Sequence, residues 1–471
     1  MAEIVVTGGG VAGLGGAMLL AEDGHDVTLL ERDEADPPAP SDAWEDWERR
    51  GVNQFRLLHF LMPRFRIELE RELPHVAKAL DAAGALRINP IEGAPVEMTG
   101  GARPDDDDFT SLTARRPTLE AVMAAAAVAT PGLTVRRGVA VGGLVAGAQA
   151  VRGVPHVTGV RTSTGEEIPA DLVVDATGRR SPLPDWLESA GARRPAEELE
   201  DSGFVYYGRH FRSADGTTPP IVGPLLQAYG SVSVLTLPAD NGTWGLGVIA
   251  SAADKAMRGL RDVERWTTLV QSLPLAAHWL DGEPIEDRIV VMAKIEDRHR
   301  SFMVDGAPVA TGIAAVADSW ACTNPSLGRG ASIGLIHGLA LRDTLRATGL
   351  DDPAAFTTAW DEATDVAVEP WYRATLSFDR HRLAEIDAEM RGVPYEPADD
   401  DWNIVQSIFF AAGQDPDCLR AAFAIQGVVR KPEEVFADGA LFEKALTLGA
   451  GWRDAPPFGP SRAELVSIVS A

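Results

Sequence analysis

Residues 2–32 read AEIVVTGGGVAGLGGAMLLAEDGHDVTLLER, and this stretch decides the fold. Residues 4–7 form a largely apolar, β-branched run, which is typical of a parallel strand buried on both faces. Gly8, Gly10 and Gly13 follow at G-x-G-x-x-G spacing. The stretch therefore predicts a strand, a glycine turn, a helix and a second strand in succession.

The glycine spacing has a physical reason in dinucleotide binding. Gly8 permits the tight turn, Gly10 lets the backbone approach a pyrophosphate, and Gly13 lets the helix pack closely on the strand. Glu31 ends the second strand, where a carboxylate accepts hydrogen bonds from a ribose 2′-OH and repels a 2′-phosphate. We therefore expect an FAD or NAD site rather than an NADP site or a plain glycine-rich turn. A P-loop is excluded because no Gly-Lys-Ser/Thr follows.

Chain length, net charge and cysteine count limit the class of protein and the kinds of partner that we expect. The 471 residues exceed what one core usually supports, so we expect two or three structural units. The formal net charge of −26 disfavours nucleic acid and anionic membranes as partners. Cys322 and Cys418 are too few for a secreted disulfide scaffold and indicate a cytoplasmic protein. The longest apolar run, residues 121–129, is too short to span a membrane, and the histidines show no metal-site spacing.

Residues 51–64, GVNQFRLLHFLMPR, predict a cavity-lining loop rather than another strand. Gln54 and His59 are its candidates for substrate contact. From composition alone, we expect His59 to be a partly buried histidine with hydrogen-bonded ring nitrogens rather than a catalytic one. After this loop, apolar positions at helical spacing predict a helix over residues 65–83.

The next segment repeats the alternation of helix and strand. Arg116 and Pro117 begin a predicted helix that runs to Ala129. Residues 133–141 predict a strand. The glycines between residues 138 and 147 do not predict a second nucleotide site, because the chain continues as a meander without a helix.

Two later predicted strands are buried, and each is followed by residue types that often bind ligands. Residues 171–181, DLVVDATGRRS, place Asp175 and Gly178 at a strand end, where ligands bind in open α/β sheets; a merely capped strand end is the alternative. Residues 307–330 run through a glycine-containing turn into a helix over residues 331–346. A second helix N-terminus is thus predicted where negative charge can be held.

Between residues 200 and 300 the pattern changes to alternating strands. It predicts a separate, mainly antiparallel sheet of the kind that lies over a cofactor. Tyr207 and Arg209 are alternate residues of one strand, so they share a face, which is either pocket or solvent. From residue 352 onward we expect helices that form a C-terminal layer or lid.

Three stretches taken in order, residues 8–13 with Glu31, residues 171–181 and residues 318–330, resemble the FAD-dependent monooxygenase superfamily with the p-hydroxybenzoate hydroxylase fold. The resemblance covers roughly residues 2–350. It implies an α/β protein with a discontinuous Rossmann-like FAD-binding domain, a mainly antiparallel β-sheet substrate domain and a C-terminal helical region. The implied boundaries are 1–84, 115–190 and 290–350 for the FAD-binding domain, 85–114 and 191–289 for the substrate domain, and 351–471 for the helical region.

The same resemblance assigns cofactor contacts. The first turn would hold the FAD pyrophosphate, Glu31 the adenosine ribose, and Arg116 would reach the cofactor. Asp318 would bind the ribityl or pyrophosphate part, and the turn before Gly330 would pass the isoalloxazine, where the helix dipole stabilises anionic reduced flavin. The implied cofactor-binding residues are Gly8, Gly10, Val11, Ala12, Gly13, Glu31, Arg32, Arg116, Val141, Asp175, Gly178, Asp318, Pro325, Gly328 and Gly330.

The sequence departs from the superfamily pattern in two places. Ala317 precedes Asp318 where the superfamily often has glycine, and residues 175–181 read Asp-Ala-Thr-Gly-Arg-Arg-Ser instead of the Asp-Gly form of single-component aromatic hydroxylases. The second variant, together with Gln54 and His59, is more similar to bacterial polyether-type epoxidases, flavin halogenases and geranylgeranyl reductases. We therefore expect NAD(P)H as electron donor either directly or through a separate flavin reductase.

The resemblance implies a monooxygenase that inserts one oxygen atom from O2 into a hydrophobic small molecule through a flavin C4a-hydroperoxide. The reaction would be an epoxidation or a hydroxylation in secondary metabolism, and a dry apolar pocket would protect the intermediate from water. The candidates for positioning the substrate are Gln54, His59, Tyr207, Arg209 and Trp320. A flavin-dependent reductase or saturase and a non-catalytic flavin-binding protein stay open. A halogenase is disfavoured because no tryptophan has the Trp-x-Trp-x-Ile-Pro context of such enzymes.

Overall fold

The computed structural model describes residues 1–397, 399–455 and 458–470. Five parallel strands from distant parts of the chain form its first sheet. In spatial order they are Ile313–Ala315, Leu172–Asp175, Glu3–Thr7, Asp26–Glu31 and Leu133–Arg137. Ile4 pairs with Val27 on one side and with Leu172 on the other. Central strands of this kind are buried on both faces, which is why they are continuously apolar.

Both faces of the first sheet are covered. One face packs against the helices Val11–Glu22, Arg116–Ala129 and Gly330–Thr348. The other face packs against three antiparallel strands, Val141–Ala146, Val157–Thr162 and Glu167–Pro169. Leu14 and Met18 of the first helix are almost fully buried. Each such side chain contributes about 1.5–3 kcal/mol, so the glycine turn sits on a firmly packed support.

Two predicted elements differ from the structure. The strand expected over residues 133–141 ends at Arg137, and Gly138, with φ +70°, turns the chain into the separate sheet that begins at Val141. The helix expected over residues 65–83 is two helices, Pro63–Glu72 and Pro74–Ala82. Pro74 lacks the N–H that would continue the first helix and disfavours helical backbone in the residue before it.

The second sheet is antiparallel, as the alternation predicts. Its strands in spatial order are Leu226–Tyr229, Val232–Pro238, Thr243–Ser251, Phe204–Arg212 and Glu283–Pro284, with Val290–Met292 also paired to Phe204–Arg212. One face packs on Val263–Gln271 and the other faces the cleft described below. Because Val290–Met292 belongs to this sheet, the predicted boundary at residue 289 falls a few residues early.

The C-terminal region is helical, as predicted. Its helices are Pro353–Ala367, Glu369–Arg391, Asp401–Ala412, Pro416–Gln426, Pro432–Phe436, Gly439–Gly449 and Arg462–Ser470. The last helix packs through Leu465 and Val469 into the core behind the second sheet. Ala398, Pro456, Pro457 and Ala471 of the predicted helical region lie outside the described residues.

Shorter elements complete the described chain. The α-helices are Ala43–Asp46, Val96–Thr99 and Leu183–Ser189, and the 3-10 turns are Pro104–Phe109, Asp240–Gly242, Ala256–Arg261, Ala277–Leu280, Ala317–Ser319, Pro325–Leu327 and Trp452–Asp454. Ala196–Asp201, Glu296–Ser301 and Ala321–Cys322 form a separate three-stranded sheet. Two strand pairs remain, Leu86–Ile88 with Ser111–Thr113 and Met303–Val304 with Ala307–Pro308. Within the described ranges, no helix is both long and apolar enough to cross a membrane.

Candidate active site

A cleft of about 2540 Å³ lies between the carboxyl ends of the first sheet, the inner face of the second sheet and the C-terminal helices. Pockets for drug-sized ligands are usually about 300–1,000 Å³. The cleft therefore has room for a dinucleotide and a second molecule. Every stretch that the sequence singled out for the cofactor contributes to its lining.

The geometry of the glycine turn assigns a separate role to each glycine. Gly8 has φ +102°, and a β-carbon there would lie 2.5 Å from the Ala176 carbonyl oxygen. A β-carbon on Gly13 would lie 1.9 Å from the Gly8 carbonyl oxygen. A β-carbon on Gly10, in contrast, would meet no protein atom within 4 Å, and Gly10 lines the cleft. The open space at Gly10 is where the fold admits a phosphate beside the start of the Val11–Glu22 helix.

Val11 and Ala12, at the start of that helix, also line the cleft, whereas Gly13 faces the strand. The residues present thus fit the pyrophosphate of a dinucleotide. They provide backbone N–H groups, a helix N-terminus and no side chain that would block close approach.

Glu31 lines the cleft at the end of its strand, but its carboxylate is already held by the protein. Oε2 accepts the Gly9 N–H at 2.8 Å and a hydrogen bond from Arg49, and Oε1 accepts the Asp33 N–H at 2.9 Å. A carboxylate has about four acceptor positions, so a ribose hydroxyl still finds one. Arg32 lies at the rim of the cleft, against Gly51.

Arg49 is a functional candidate that the sequence reasoning missed. Its buried guanidinium bonds Glu31, Asp33 and Glu120 and donates to the Gly9 carbonyl oxygen at 2.9 Å. Burial alone would lower the pKa of Arg49, but Glu120 and Glu31 raise it above its ordinary value. The only signal in the sequence was an arginine pair just before the 51–64 loop.

Arg116 and His59 meet at the edge of the cofactor part of the cleft. Arg116 lies at the start of the Arg116–Ala129 helix and donates from Nε to Glu120 at 2.6 Å. Burial, assisted by the positive charge of Arg116, lowers the pKa of His59 to about 4. His59 is therefore neutral at physiological pH, and its Nδ1 lies 3.5 Å from the Ala114 carbonyl oxygen. Val141 is another residue of the cleft lining.

The loop that carries Gln54 and His59 is anchored to the second sheet by Leu58. β-Carbons on Gly245 and Gly247 would lie 2.3 Å from the Leu58 side chain, and one on Gly208 would lie 3.3 Å away. The three glycines leave a hole in the sheet that Leu58 fills. Gln54 lines the cleft beside it, as the prediction of a cavity-lining loop requires.

Asp175 and Gly178 differ in how they serve the site. Asp175 does not line the cleft; its buried carboxylate accepts the Thr177 N–H at 3.0 Å and bonds Ser181. It shapes the turn rather than contacting a cofactor, which corrects the prediction of direct binding. Gly178 lines the cleft with φ +85°, and its N–H donates to Ser319 Oγ at 2.9 Å.

The turn that leads to Gly330 supplies the opposite wall. Asp318, Pro325, Gly328 and Gly330 all line the cleft, and Trp320 lies beside them. Burial raises the pKa of Asp318. The helix that begins at Gly330 points its N-terminus at the cleft, so two helix N-termini face it.

Ala317 has φ +51°, in the left-handed region that favours glycine. This conformation gives a physical reason for the Gly-Asp pattern of the superfamily at this point. The turn is held by the Ala317 N–H, which donates to Nδ1 of His337 at 3.0 Å. Burial lowers the pKa of His337 to about 3, so this imidazole stays neutral and can accept.

Tyr207 and Arg209 face away from the cleft, and their assignment as site residues was wrong. Tyr207 is buried in the core behind the second sheet, and Arg209 donates from Nε to the Glu286 carbonyl oxygen at 2.6 Å. Because strand side chains alternate, the cleft receives Tyr206 and His210 instead. Sequence alternation showed which residues share a face but not which face is the inner one.

The structure also brings together four buried polar residues that the sequence did not single out as a site. Tyr206, Asn324, Ser326 and Asp379 all line the cleft. The Tyr206 hydroxyl donates to Asn324 Oδ1 at 2.7 Å, and Ser326 Oγ donates to Asp379 Oδ1 at 2.6 Å. Burial raises the pKa of Asp379 to about 7. No sequence pattern could have joined them, since they come from a strand, a turn and a distant helix.

Arg329 lies in the same wall without an ion-pair partner among the described residues. It donates to Thr375 Oγ1 at 3.2 Å and lies over the Trp371 ring at 5.4 Å. Burial lowers the pKa of Arg329 to about 10. It therefore stays positively charged beside the second helix N-terminus. No cluster of potential metal ligands occurs in the described parts of the chain.

Solved structures with this fold cover most of the chain. A flavoprotein/dehydrogenase from Cytophaga hutchinsonii aligns with TM-score 0.62 and 16% identity, covering 96% of this chain and 99% of that one. The flavin-dependent brominase Bmp2 aligns with TM-score 0.59 and 16% identity over 94% and 98% of the chains. PqsL, a probable FAD-dependent monooxygenase from Pseudomonas aeruginosa, aligns with TM-score 0.58 and 16% identity over 82% and 99%. The chain therefore shares the fold of these three proteins.

One curated relative is close enough in sequence to define a family. Protein Rv3254 of Mycobacterium tuberculosis is 31% identical over 368 residues, which is 73% of each chain. The chain belongs to the family of that protein. No protein-family model matches the sequence.

Proposed function

We propose that the protein is an FAD-dependent monooxygenase that inserts one oxygen atom from O2 into a hydrophobic small molecule, by epoxidation or hydroxylation. The observation that carries the proposal is the open space at Gly10, beside a helix N-terminus, in a cleft that continues under an apolar sheet face. A dinucleotide fits the first part of the cleft and a hydrophobic molecule fits the second.

FAD would supply the redox chemistry when bound: two electrons reach it from NAD(P)H, directly or through a flavin reductase. One atom of O2 then enters the substrate and the other leaves as water. The chain would hold the cofactor with the Gly8–Gly13 turn, Arg116 and the Gly330 turn. The apolar side chains of the second sheet, such as Leu235 and Ile249, exclude water from the reacting atoms.

The polar groups near the reacting region suit positioning rather than nucleophilic catalysis. His59 is neutral, so it can accept or donate one hydrogen bond without charging the cleft. Arg329 and the helix N-terminus at Gly330 favour negative charge on a bound group beside them. Trp320 and Gln54 stay candidates for substrate contact because both line the cleft.

Labelled oxygen tests the proposal. Purified protein is loaded with FAD, reduced with NADH, with NADPH or with a flavin reductase, and mixed with ¹⁸O2 and extracts of candidate hydrophobic substrates. Incorporation of one ¹⁸O atom into a product supports the proposal and identifies the donor. Reduced flavin that only returns hydrogen peroxide with every substrate class would contradict it.

A flavin-dependent reductase or saturase is the second candidate, and one observation favours it. The buried Asp379 carboxyl, with its pKa raised to about 7, is substantially protonated near neutral pH and lines the cleft. In such a reaction bound FAD would supply a hydride for one carbon of a carbon–carbon double bond, and Asp379 would donate the proton that the other carbon needs. A product that gains two hydrogens and no ¹⁸O would establish this reaction instead.

Two further alternatives have simple tests. A protein that purifies without yellow colour and takes up no FAD, or whose flavin no reductant bleaches, would be non-catalytic. A brominated or chlorinated product formed with added halide would establish a halogenase, although the tryptophan motif of such enzymes is missing. Cys322 and Cys418 are both free and buried, which supports a reducing compartment such as the cytoplasm as the site of action.

A further inference from the structure

The four polar residues Tyr206, Asn324, Ser326 and Asp379 lie where three parts of the fold meet. Tyr206 comes from the second sheet, Asn324 and Ser326 from the turn before Gly330, and Asp379 from the Glu369–Arg391 helix. We call them the polar junction. It is bordered by apolar residues of the cleft, so it can distinguish the two ends of an otherwise hydrophobic molecule.

Two atoms of the polar junction lack a hydrogen-bond partner. Asn324 and Asp379 are 1% and 3% exposed, and Asn324 Nδ2 and Asp379 Oδ2 make no well-formed hydrogen bond to the described residues. An unpaired buried polar atom is destabilising, because its hydrogen bonds to water are lost and not replaced. The other oxygens of these two side chains are satisfied by Tyr206 and Ser326. One donor and one acceptor that lack a well-formed partner among the described residues are thus left beside each other in the cleft wall.

A hydroxyl group matches this pair because it accepts one hydrogen bond and donates another. An ether oxygen can only accept, and a methyl group can do neither. Contact with the Asn324 side chain lowers the pKa of Asp379, so the two groups are near neighbours, and a hydroxyl would replace this poorly aligned contact with two hydrogen bonds.

We propose that the substrate carries a hydroxyl group that binds at the polar junction, accepting from Asn324 Nδ2 and donating to Asp379 Oδ2, while its hydrophobic body fills the apolar part of the cleft. This rests on the proposed function in so far as the bound molecule is the substrate. Asp379 and Asn324 are specificity-determining residues in this reading. They fix which end of the molecule lies near the Gly330 turn.

The preference for a hydroxyl should depend on pH. Burial raises the pKa of Asp379 to about 7, and an ionised carboxylate can only accept, whereas a protonated one can also donate to an ether. The charged and polar groups that face Asp379 are Ser326, Asn324, Arg329, Asp297 and Tyr206. Burial also raises the pKa of Asp297, to about 6, so Asp297 contributes to the titration over the same range.

The experiment compares matched probes on the FAD-loaded protein. Calorimetry measures binding of cycloalkanols from cyclohexanol to cyclododecanol and of their methyl ethers, at pH 6 and pH 8. We expect the alcohol to bind about 10- to 100-fold more tightly than its ether at pH 8, since a hydrogen bond to a charged group contributes about 1.5–3 kcal/mol. The preference should be smaller at pH 6.

Three variants make the result specific. Asp379→Leu should bring the alcohol-to-ether ratio to about one. Asp379→Asn keeps the shape of the side chain, so it covers the case in which the leucine variant does not fold. Its ratio should change less with pH than that of the wild type, since only Asp297 still titrates over this range. Asp387→Leu alters an exposed aspartate of the same helix outside the cleft and should keep the wild-type ratio.

The proposal is overturned if no cycloalkanol binds, if wild-type protein does not distinguish alcohols from ethers, or if Asp379→Leu keeps the preference. The outcome is independent of turnover. If the protein prefers alcohols but incorporates no ¹⁸O, the proposal for the polar junction is supported and only the proposed monooxygenase reaction is contradicted.

Discussion

Replacing Gly10 by alanine tests whether the cofactor lies where the glycine turn places it. A β-carbon at Gly10 would meet no protein atom within 4 Å, so the folded chain has room for it. The backbone there is extended, with φ −86° and ψ −177°, which any residue adopts. The added methyl group would instead occupy the space through which a pyrophosphate approaches the backbone.

Two other glycines provide matched controls, and the structure sets the magnitudes. Gly10→Ala should cost less than about 1 kcal/mol of stability, because it changes only an N-cap position. It should weaken FAD binding by about 1–3 kcal/mol, or about 5- to 150-fold in Kd. Gly16→Ala, inside the same helix and with open space around it, should gain about 0.5–1 kcal/mol and bind FAD normally. Gly13→Ala should lose about 3 kcal/mol or more, because its β-carbon would lie 1.9 Å from a carbonyl oxygen.

The assay separates folding from binding. Urea denaturation of the FAD-free proteins gives the change in stability, and quenching of FAD fluorescence on titration gives Kd. The expected result is a loss of affinity in Gly10→Ala without a comparable loss of stability. The reasoning is refuted if Gly10→Ala binds FAD as tightly as Gly16→Ala does, because the open space would then have another purpose.

Three other substitutions test the wall opposite the glycine turn and the charges beside it. Ala317→Gly should stabilise the protein by about 0.5–1 kcal/mol in urea denaturation, since glycine removes the cost of left-handed backbone; no gain would contradict the strain. Arg49→Met should cost about 3–5 kcal/mol at pH 7, because Glu31 loses its charged partner and Glu120 keeps only Arg116, and lowering the pH should recover part of the loss by protonating Glu120. A loss that does not change with pH would mean that packing, not charge, explains it. The pKa of Asp379 is about 7 in the folded protein and about 3.8 in the unfolded chain. Between pH 4 and pH 7 the folded state therefore binds a proton that the unfolded state has lost, so the stability of the wild type falls as the pH rises through this range. Asp379→Asn removes that dependence and should be more stable than wild type at pH 8 by up to about 4 kcal/mol; parallel pH profiles of the two proteins would be the contrary result.

The cofactor half of the site could be predicted because backbone geometry there dictates residue type. Gly8 is required by its positive φ, and Gly13 by the carbonyl oxygen that a β-carbon would contact. The spacing of the glycines therefore predicts the turn directly. The strand residues before them are buried on both faces and therefore continuously apolar. These constraints are local, and a single sequence displays them.

The substrate half could not be predicted to the same extent, because it depends on which face of an element turns inward. The strand over residues 204–212 has a core face and a cleft face, and both are largely buried, so alternation could not distinguish Tyr207 from Tyr206. The glycines at 208, 245 and 247 do not belong to a recognisable sequence motif. They become a site only when the sheet forms and Leu58 enters between them.

The C-terminal helices do not only cover the cleft. One of them also positions a turn of the site, and it thereby connects the cofactor half with the substrate half. The Glu369–Arg391 helix holds the turn before Gly330 at two points: Asp379 accepts from Ser326, and Thr375 accepts from Arg329. Thr375 and Asp379 are four residues apart, so they lie on one face of that helix. The turn that would pass the isoalloxazine is therefore positioned by a segment beyond the motifs of the superfamily. A change in how this helix packs would move the turn and the polar junction together, so cofactor geometry and substrate recognition are coupled through one element.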